Sequence, residues 1–274
     1  LKIVSDLEID GKTIDKKKLI DQHYYSIASK ATILSAKEIP VPSDKFQESF
    51  GESWDTVLTE NRAFNAMDAC EVFGCDAQHL NEAWGKAKKV VKFGGGFYCG
   101  LVSLNGKEVY VFNAFFMSMR SKFVGEGASI HCFEVEWRPS QLSWASFRND
   151  VLGPTDPTEA PAGSLRNTIL QRYKELGLDY IPSKGDNGVH ASASPFEGLA
   201  EKSNWLGKSI DRDDFGKAIL ALGISRKTIK EWSLDPRILM PDGSYGSLFD
   251  ELEDLDVGDC LEKIRQLHDM NKNL

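Results

Sequence analysis

The setting of His190 is the strongest chemical signal in this sequence. Residues 188–194 read GVHASAS, so only small side chains separate the imidazole from solvent or a ligand. Residues 194–197 (SPFE) match a capping box with Pro at the first helical position, which predicts a helix N-terminus just after His190. Such an end favours an anion such as phosphate and disfavours protonation of a nearby imidazole, and the neutral ring is the nucleophilic form.

A carboxylate further along that helix, such as Glu201, would orient the ring of His190 and stabilise the charge that develops on it. The residue types therefore suggest nucleophilic catalysis on phosphate. A structural histidine with satisfied hydrogen bonds explains the same spacing and is the more common case. That alternative predicts no covalent phosphate on the protein.

The composition limits the classes of protein to which this chain can belong. Its 274 residues are 41% hydrophobic, enough to bury a substantial core as one large domain or two small ones. The five cysteines include no CxxC pair, and no histidine lies at metal-ligand spacing from them. This pattern argues against a disulfide framework and a structural zinc site, so no metal-binding motif is predicted.

The charge pattern bears on partners and location. The charged N-terminus and the lack of any apolar run approaching about 18 residues predict neither a signal peptide nor a membrane span. Scattered cysteines fit a reducing, cytoplasmic compartment. The net charge of −8 argues against broad binding to nucleic acid or to anionic membranes. A phosphate-bearing ligand would therefore have to be held by a few placed cations.

Local patterns predict the elements around these residues. Asn-Gly between two alternating runs predicts a hairpin over 101–112, and Gly74 separates two short helices within 62–91, with Asp76 as an N-cap. Residues 23–34 are predicted to be a strand with Lys30 near its end. The other expected elements are helices at 13–21, 115–124 and 140–153, a strand at 128–137, a stop at Gly153, and a short helix containing Arg166.

Residues 207–274 are predicted to form a helical extension. Helices are expected over 210–223, with Asp211 as a candidate cap and Gly223 as the stop, over 224–232, and within the acidic C-terminal stretch. An acidic amphipathic helix most often packs its apolar face on its own domain. The alternative is that another chain covers the apolar residues Leu248, Phe249, Leu252 and Leu255.

Four motifs in fixed order resemble a known family. They are LGPTDP (152–157), GSLR (163–166), NGVHASAS (187–194) and the pair Glu201 and Trp205. This order is similar to the C-terminal half of nucleoside diphosphate kinases, which run close to LGxTNP, GTIRG and NxxHGSDS. The intervals from Thr155 to Arg166, Asn187 to His190, His190 to Glu201 and His190 to Trp205 equal those of the family.

The resemblance implies a role for each matching residue. His190 would accept the γ-phosphoryl group, with Glu201 hydrogen-bonded to it. Thr155 and Arg166 would hold the nucleotide's phosphates, Asn187 would contact the ribose, and Ser192 would lie beside the phosphohistidine. Phe115 matches the aromatic residue on which the base stacks, and Lys30 matches a lysine at the end of the first strand. The implied nucleotide-binding residues are therefore Lys30, Phe115, Arg148, Thr155, Arg166, Asn187 and Ser192, with Mg²⁺ arriving on the nucleotide.

The chain departs from the family pattern at several positions. The arginine that precedes the GxTNP loop would fall on Asn149, and Arg148 lies one position early. HASAS replaces HGSDS, so Ala191 adds a methyl group beside the nucleophile and Ala193 stands where the family has Asp. The chain between Arg166 and Asn187 is longer than in the family. The resemblance covers about residues 113–205.

The resemblance also implies a fold and an activity. The fold class is α+β, a ferredoxin-like four-stranded antiparallel sheet with helices, enlarged by insertions. A kinase-like domain would span 1–206 and the helical extension 207–274. The activity would be ping-pong transfer of a phosphoryl group from a nucleoside triphosphate to a nucleoside diphosphate, in a chain that can form a homo-oligomer. The alternatives are a catalytically weakened nucleotide-binding or scaffold module, and a phosphotransferase with water or a protein side chain as acceptor.

Overall fold

A computed structural model describes residues 1–272, and the chain divides into two compact units. The inserted unit is Leu7–Cys132. The flanking unit joins Leu1–Asp6 to the chain from Phe133 onward. Residues 207–272 thus share a unit with the motifs around His190.

The inserted unit contains most of the strands. Its strands are the end of β1 (Lys2–Asp10), then β2 (Ala63–Asn65), β3 (Lys89–Gly94), β4 (Phe97–Leu104), β5 (Lys107–Phe112) and the start of β6 (Ser129–Glu136). Its helices are α1 (Gly11–Lys17), α2 (Leu19–His23), α3 (Tyr25–Ala28), α4 (Ser43–Phe50), α5 (Trp54–Thr59), α6 (Ala66–Phe73), α7 (Ala77–Gly85) and α8 (Phe115–Val124), with a π-helical turn at Ser29–Ile33.

The four-stranded sheet of this unit has the order β2-β5-β4-β3. Strands β4 and β5 form the predicted hairpin, and Asn105 and Gly106 at its turn have φ of 49° and 76°, as two-residue hairpin turns require. Val109 and Val111 of β5 enter one apolar cluster, while Tyr110 and Phe112 enter another, so β5 is covered on both faces.

The mixture of helices with a four-stranded sheet confirms the coarse fold class. A wholly antiparallel, ferredoxin-like sheet is not confirmed, because β2 runs parallel to β5 while the β5–β4 and β4–β3 pairs are antiparallel. The predicted pair of short helices within 62–91 is confirmed as α6 and α7. Gly74 ends α6 at a φ of 60°, and the Asp76 side chain caps α7.

The prediction of a strand over 23–34 was wrong, because this stretch is helical. Its buried positions are Ala28, Ser29, Ala31 and Thr32, and the spacing of Ala31 and Thr32 from Ala28, three and four residues, is that of a helix. The hydroxyl of Thr32 also donates to the Ala28 carbonyl at 3.1 Å. Burial of one helical face therefore outweighed the β-branched and aromatic composition.

The flanking unit is mainly helical. After β6 it contains α9 (Trp144–Ser146), a π-helical turn at Phe147–Leu152, α10 (Leu165–Arg172), α11 (Pro195–Trp205), a 3₁₀ turn at Ile210–Arg212, α12 (Asp214–Ala221), α13 (Arg226–Trp232), β7 (Arg237–Leu239), β8 (Tyr245–Ser247), α14 (Leu248–Leu252) and α15 (Val257–Asn271). The β7–β8 hairpin was not predicted. The cap of α12 is Asp213 rather than Asp211, which instead pairs with Arg226.

The C-terminal helices share an apolar core with α11. Phe196 and Leu199 of α11 lie in one buried cluster with residues from α12 to α15, including Ile219, Ile229, Leu248, Leu252, Ile264 and Leu267. Phe249 and Leu255 pack against the same cluster. The four residues considered for docking on another chain therefore contribute to the core of their own unit. Among the described helices, none is both long enough and apolar enough to cross a membrane.

Candidate functional site

The site is built around the start of α11. Ser194 is the N-cap, since its hydroxyl accepts from the Glu197 amide at 3.1 Å, and Pro195 follows at the first helical position, as the sequence predicted. The carboxylate of Glu197 departs from a capping box. It accepts from the Ala193 amide at 2.8 Å instead of from Ser194. This bond fixes the loop that leads from His190 into the helix.

His190 is paired with the carboxylate predicted to orient it. Nε2 of His190 lies 2.6 Å from Oε1 of Glu201, and Oε2 of Glu201 accepts from the hydroxyl of Ser192. The His190 side chain is 49% exposed and that of Glu201 is 16% exposed. Because the carboxylate holds the proton on Nε2, the lone pair of the neutral ring lies on Nδ1.

The same carboxylate sets the protonation of the ring. Partial removal from water lowers the pKa of His190, but the charge and the hydrogen bond of Glu201 raise that pKa by more, so that it lies above its ordinary value. The sequence predicted that the helix end keeps the ring neutral. The structure differs because a paired carboxylate acts more strongly on the ring than the partial charge of the helix terminus.

Glu201→Gln is expected to lower the pKa of His190, because the amide keeps a hydrogen-bond acceptor and removes the negative charge. The measurement is an NMR titration of the His190 ring. Glu175→Gln is the matched control, since Glu175 is an exposed residue paired with Arg172. An unchanged titration in Glu201→Gln would contradict this account of the pair.

Glu197 is a second carboxylate at the site, and the sequence assigned it only a capping role. It lies four residues before Glu201, so both side chains occupy one face of α11. Burial and the charge of Glu201 raise the pKa of Glu197 to about 7, against the opposing effects of His190, the Ala193 amide and Arg148. The i,i+4 spacing of the two glutamates is the signal that could have found it.

Arg166 is a buried cation whose hydrogen bonds go to backbone carbonyls. It follows the N-cap Ser164 of α10, and its two terminal nitrogens donate to the carbonyls of Gly153, at 2.7 Å, and Val189, at 3.0 Å. Its Nε is buried without a hydrogen bond, and no carboxylate pairs with it in the described part of the chain. Burial and the nearby charge of Arg148 lower the pKa of Arg166. An incoming anion would relieve this unpaired charge.

Two loops meet beside Arg166. Asn187 donates from Nδ2 to the Thr155 carbonyl at 3.0 Å, which ties the loop before His190 to the loop after Gly153. The side chain of Thr155 is exposed, and Gly153 ends the preceding helical segment with a φ of 93°. Val189, whose carbonyl accepts a hydrogen bond from Arg166, directly precedes His190 in the chain. The motif residues of the flanking unit are therefore joined by hydrogen bonds into one constellation.

Arg148, unlike Arg166, forms ion pairs with carboxylates. Its Nη1 lies 2.7 Å from Oε1 of Glu253 and 2.7 Å from Oδ1 of Asp254, two residues of the C-terminal extension. Asn149, at the position of the family's arginine, donates to the Ala145 carbonyl of its own helical segment at 3.0 Å. The cation predicted to bind phosphate is thus already paired with carboxylates that motif spacing could not reveal.

Lys30 and Phe115, the two remaining predicted residues, belong to the inserted unit. Lys30 lies in the π-helical turn, donates from Nζ to the Ser26 carbonyl at 2.7 Å, and has its pKa lowered by burial. The expected position at a strand end was therefore wrong. Phe115 begins α8, with its ring centroid 6.1 Å from that of Trp84 and 5.7 Å from that of Tyr98.

The donor set around His190 suits an anion that brings its own metal. The groups at the site are the carboxylates of Glu197 and Glu201 and the guanidinium of Arg166, and these carboxylates already accept hydrogen bonds from the Ala193 amide, His190 and Ser192. Hard cations such as Mg²⁺ take oxygen ligands and commonly bind through substrate phosphates with few protein carboxylates. The residues present therefore fit Mg²⁺ held on a nucleotide.

Comparison with models of known protein families, with curated proteins and with solved structures finds no match to this chain. Its function is therefore inferred from the geometry of the site and the spacing of its motifs.

Proposed function

We propose that the protein is a nucleoside diphosphate kinase-like phosphotransferase that uses His190 as its nucleophile. The observation that carries the proposal is the His190–Glu201 pair beside Arg166, a buried cation with which no carboxylate of the described residues forms an ion pair. A structural histidine explains the pair alone, but it does not explain an uncompensated arginine held next to it. Nucleophile, orienting carboxylate and anion-binding cation together favour phosphoryl transfer.

In the first half-reaction, Nδ1 of His190 attacks the γ-phosphorus of a nucleoside triphosphate. The N–P bond forms as the bond from phosphorus to the β–γ bridging oxygen breaks, and the diphosphate leaves with that electron pair. Glu201 holds the proton on Nε2 and stabilises the positive charge that grows on the ring. A second nucleoside diphosphate then attacks the phosphohistidine by the reverse path, which regenerates His190 and releases a triphosphate.

The remaining residues position the phosphates. Arg166 neutralises charge on the transferring group, and Ser192, fixed by Glu201, lies beside the nucleophile. The loops of Thr155 and Asn187 would hold the phosphates and the ribose. Mg²⁺, when bound to the nucleotide, would supply further neutralisation of phosphate charge.

The proposal includes the family's finer features. These are a ferredoxin-like arrangement within a kinase-like domain at 1–206, a cytoplasmic location and a homo-oligomer. They rest on the motif resemblance.

A second candidate is a nucleotide-binding module with weakened catalysis. The pairing of Arg148 with Glu253 and Asp254 favours it, because one cation of the expected phosphate cluster is occupied. Retention of His190, Glu201 and Arg166 favours the active enzyme. A phosphotransferase with another acceptor would share the phosphohistidine and differ only in what discharges it.

Incubation with γ-labelled ATP and Mg²⁺ tests the proposal. We expect acid-labile, base-stable label on the wild type and none on His190→Ala, and a chase with GDP should yield labelled GTP. His79→Ala is the matched control, because His79 is an exposed histidine that also pairs with a carboxylate, and it should label normally. Label that is discharged only to water would indicate another acceptor. Nucleotide binding without label would establish the binding module instead.

A further inference from the structure

The turn between α14 and α15 is anchored to the loop that follows His190. The amide of Asp254 donates to the Ala193 carbonyl at 2.9 Å, and Oδ1 of Asp256 accepts from the Trp144 amide at 2.8 Å. The indole of Trp144 in turn donates to the Ser192 carbonyl at 2.9 Å. The C-terminal extension is therefore connected to the candidate site by hydrogen bonds from both backbone and side-chain groups.

The two carboxylates of this anchored turn form ion pairs with only one of two neighbouring arginines, Arg148. Arg148 contacts both Glu253 and Asp254, whereas Arg166, close enough for the charge of Arg148 to act on it, contacts only carbonyls. The Arg148 side chain is 24% exposed, and those of Glu253 and Asp254 are 48% and 37% exposed. The carboxylates are thus accessible enough to be displaced by an anion from solution.

We infer that Glu253 and Asp254 act as an internal competitor for the anionic ligand, so that the C-terminal extension restrains binding at Arg148. This inference rests on the proposed function, since it takes the surroundings of Arg166 and His190 as the phosphate site. A ligand with enough phosphate charge displaces the two carboxylates and binds Arg148 as well as Arg166. A ligand that leaves them in place is held by Arg166 alone.

The charge contacts can be removed without dismantling the turn. Asp254 has a φ of 62°, a conformation that Asn also adopts readily, and its bond to Ala193 uses only the backbone amide. Glu253→Gln keeps the shape of the side chain. The double variant Glu253→Gln/Asp254→Asn therefore removes both negative charges from Arg148 while preserving the path of the chain.

Calorimetric titration of the full chain with inorganic pyrophosphate tests the inference. We expect the double variant to bind pyrophosphate about five- to tenfold tighter than the wild type, the scale set by two partly exposed ion pairs. Arg148→Gln should abolish that gain in the double-variant background and should have a smaller effect in the wild-type background. The single variant Glu253→Gln should show an intermediate gain.

Glu251→Gln/Glu262→Gln is the control, because it removes two negative charges from the same extension, where Glu251 pairs with Lys263. An equal gain in this control, unchanged affinity in Glu253→Gln/Asp254→Asn, or no pyrophosphate binding by any variant would overturn the inference.

The labelling assay distinguishes failure of this inference from failure of the proposed phosphotransferase function. Label on His190 without an affinity change refutes the competitor alone, and tighter binding without label refutes the phosphotransferase alone.

Discussion

Arg166→Met is expected to slow phosphorylation of His190 by about 10²- to 10³-fold, the typical cost of removing one preorganised group that stabilises transition-state charge. Arg166 is a desolvated cation that forms no ion pair within the described residues, so its full charge is available to the transferring phosphoryl group. The measurement is the single-turnover rate of label incorporation from γ-labelled ATP. Met retains most of the side-chain volume and removes the charge.

Arg172→Met is the matched control, because Arg172 lies on the same helix and forms an exposed pair with Glu175. It should label at the wild-type rate. Thermal unfolding with and without pyrophosphate provides a second measurement. Pyrophosphate should stabilise the wild type and Arg172→Met but not Arg166→Met, because only a ligand that binds the folded state raises its stability. Equal labelling rates in all three proteins would show that Arg166 does not neutralise the transferring group.

Gly153→Ala is expected to lower the free energy of unfolding by roughly 2–5 kcal/mol, from overpacking and from the left-handed backbone. The φ of Gly153 is 93°, and an added Cβ would lie 2.9 Å from Cβ of Ala160 and 2.9 Å from Oγ of Ser164. The Gly153 carbonyl also accepts from Arg166, so any shift of the backbone moves the buried cation. Chemical denaturation measures the loss of stability.

Gly163→Ala separates the two contributions. Gly163 has a φ of 87°, and, its own chain neighbours aside, no atom of residues 1–272 lies within 4 Å of an added Cβ. The free energy of unfolding of Gly163→Ala should fall only by the backbone contribution, about 1–2 kcal/mol. If the two variants lose equal stability, close packing at Gly153 is not what excludes a side chain there.

Features that depend on a few adjacent residues could be predicted from the sequence. The hairpin at Asn105-Gly106, the helix stop at Gly74 and the N-cap at Ser194 each require only one short stretch of chain, and all three are present. Pairing of His190 with Glu201 was also predicted, from a carboxylate further along the helix that starts after His190 and from the motif interval between the two residues.

Features set by contacts between distant segments could not be predicted. The helix over 23–34 forms because one face is buried, and the parallel pairing of β2 with β5 depends on residues far apart in sequence. The partners of Arg148 lie more than a hundred positions further along the chain. The motif resemblance marked Arg148 as a nucleotide-binding residue, whereas tertiary structure decides which anion it contacts.

The order of the two units has a consequence for assembly during synthesis. Lys2 pairs with Glu136, and Ser5 with Glu134, so β1 must wait for its partner until the whole inserted unit has left the ribosome. Closing a flexible loop becomes harder by about 0.6 kcal/mol for each doubling of its length. Ser129 bonds to Glu8, so a folded inserted unit holds its own two ends together and shortens that loop. Folding of the inserted unit thus lowers the entropic cost of pairing β1 with β6.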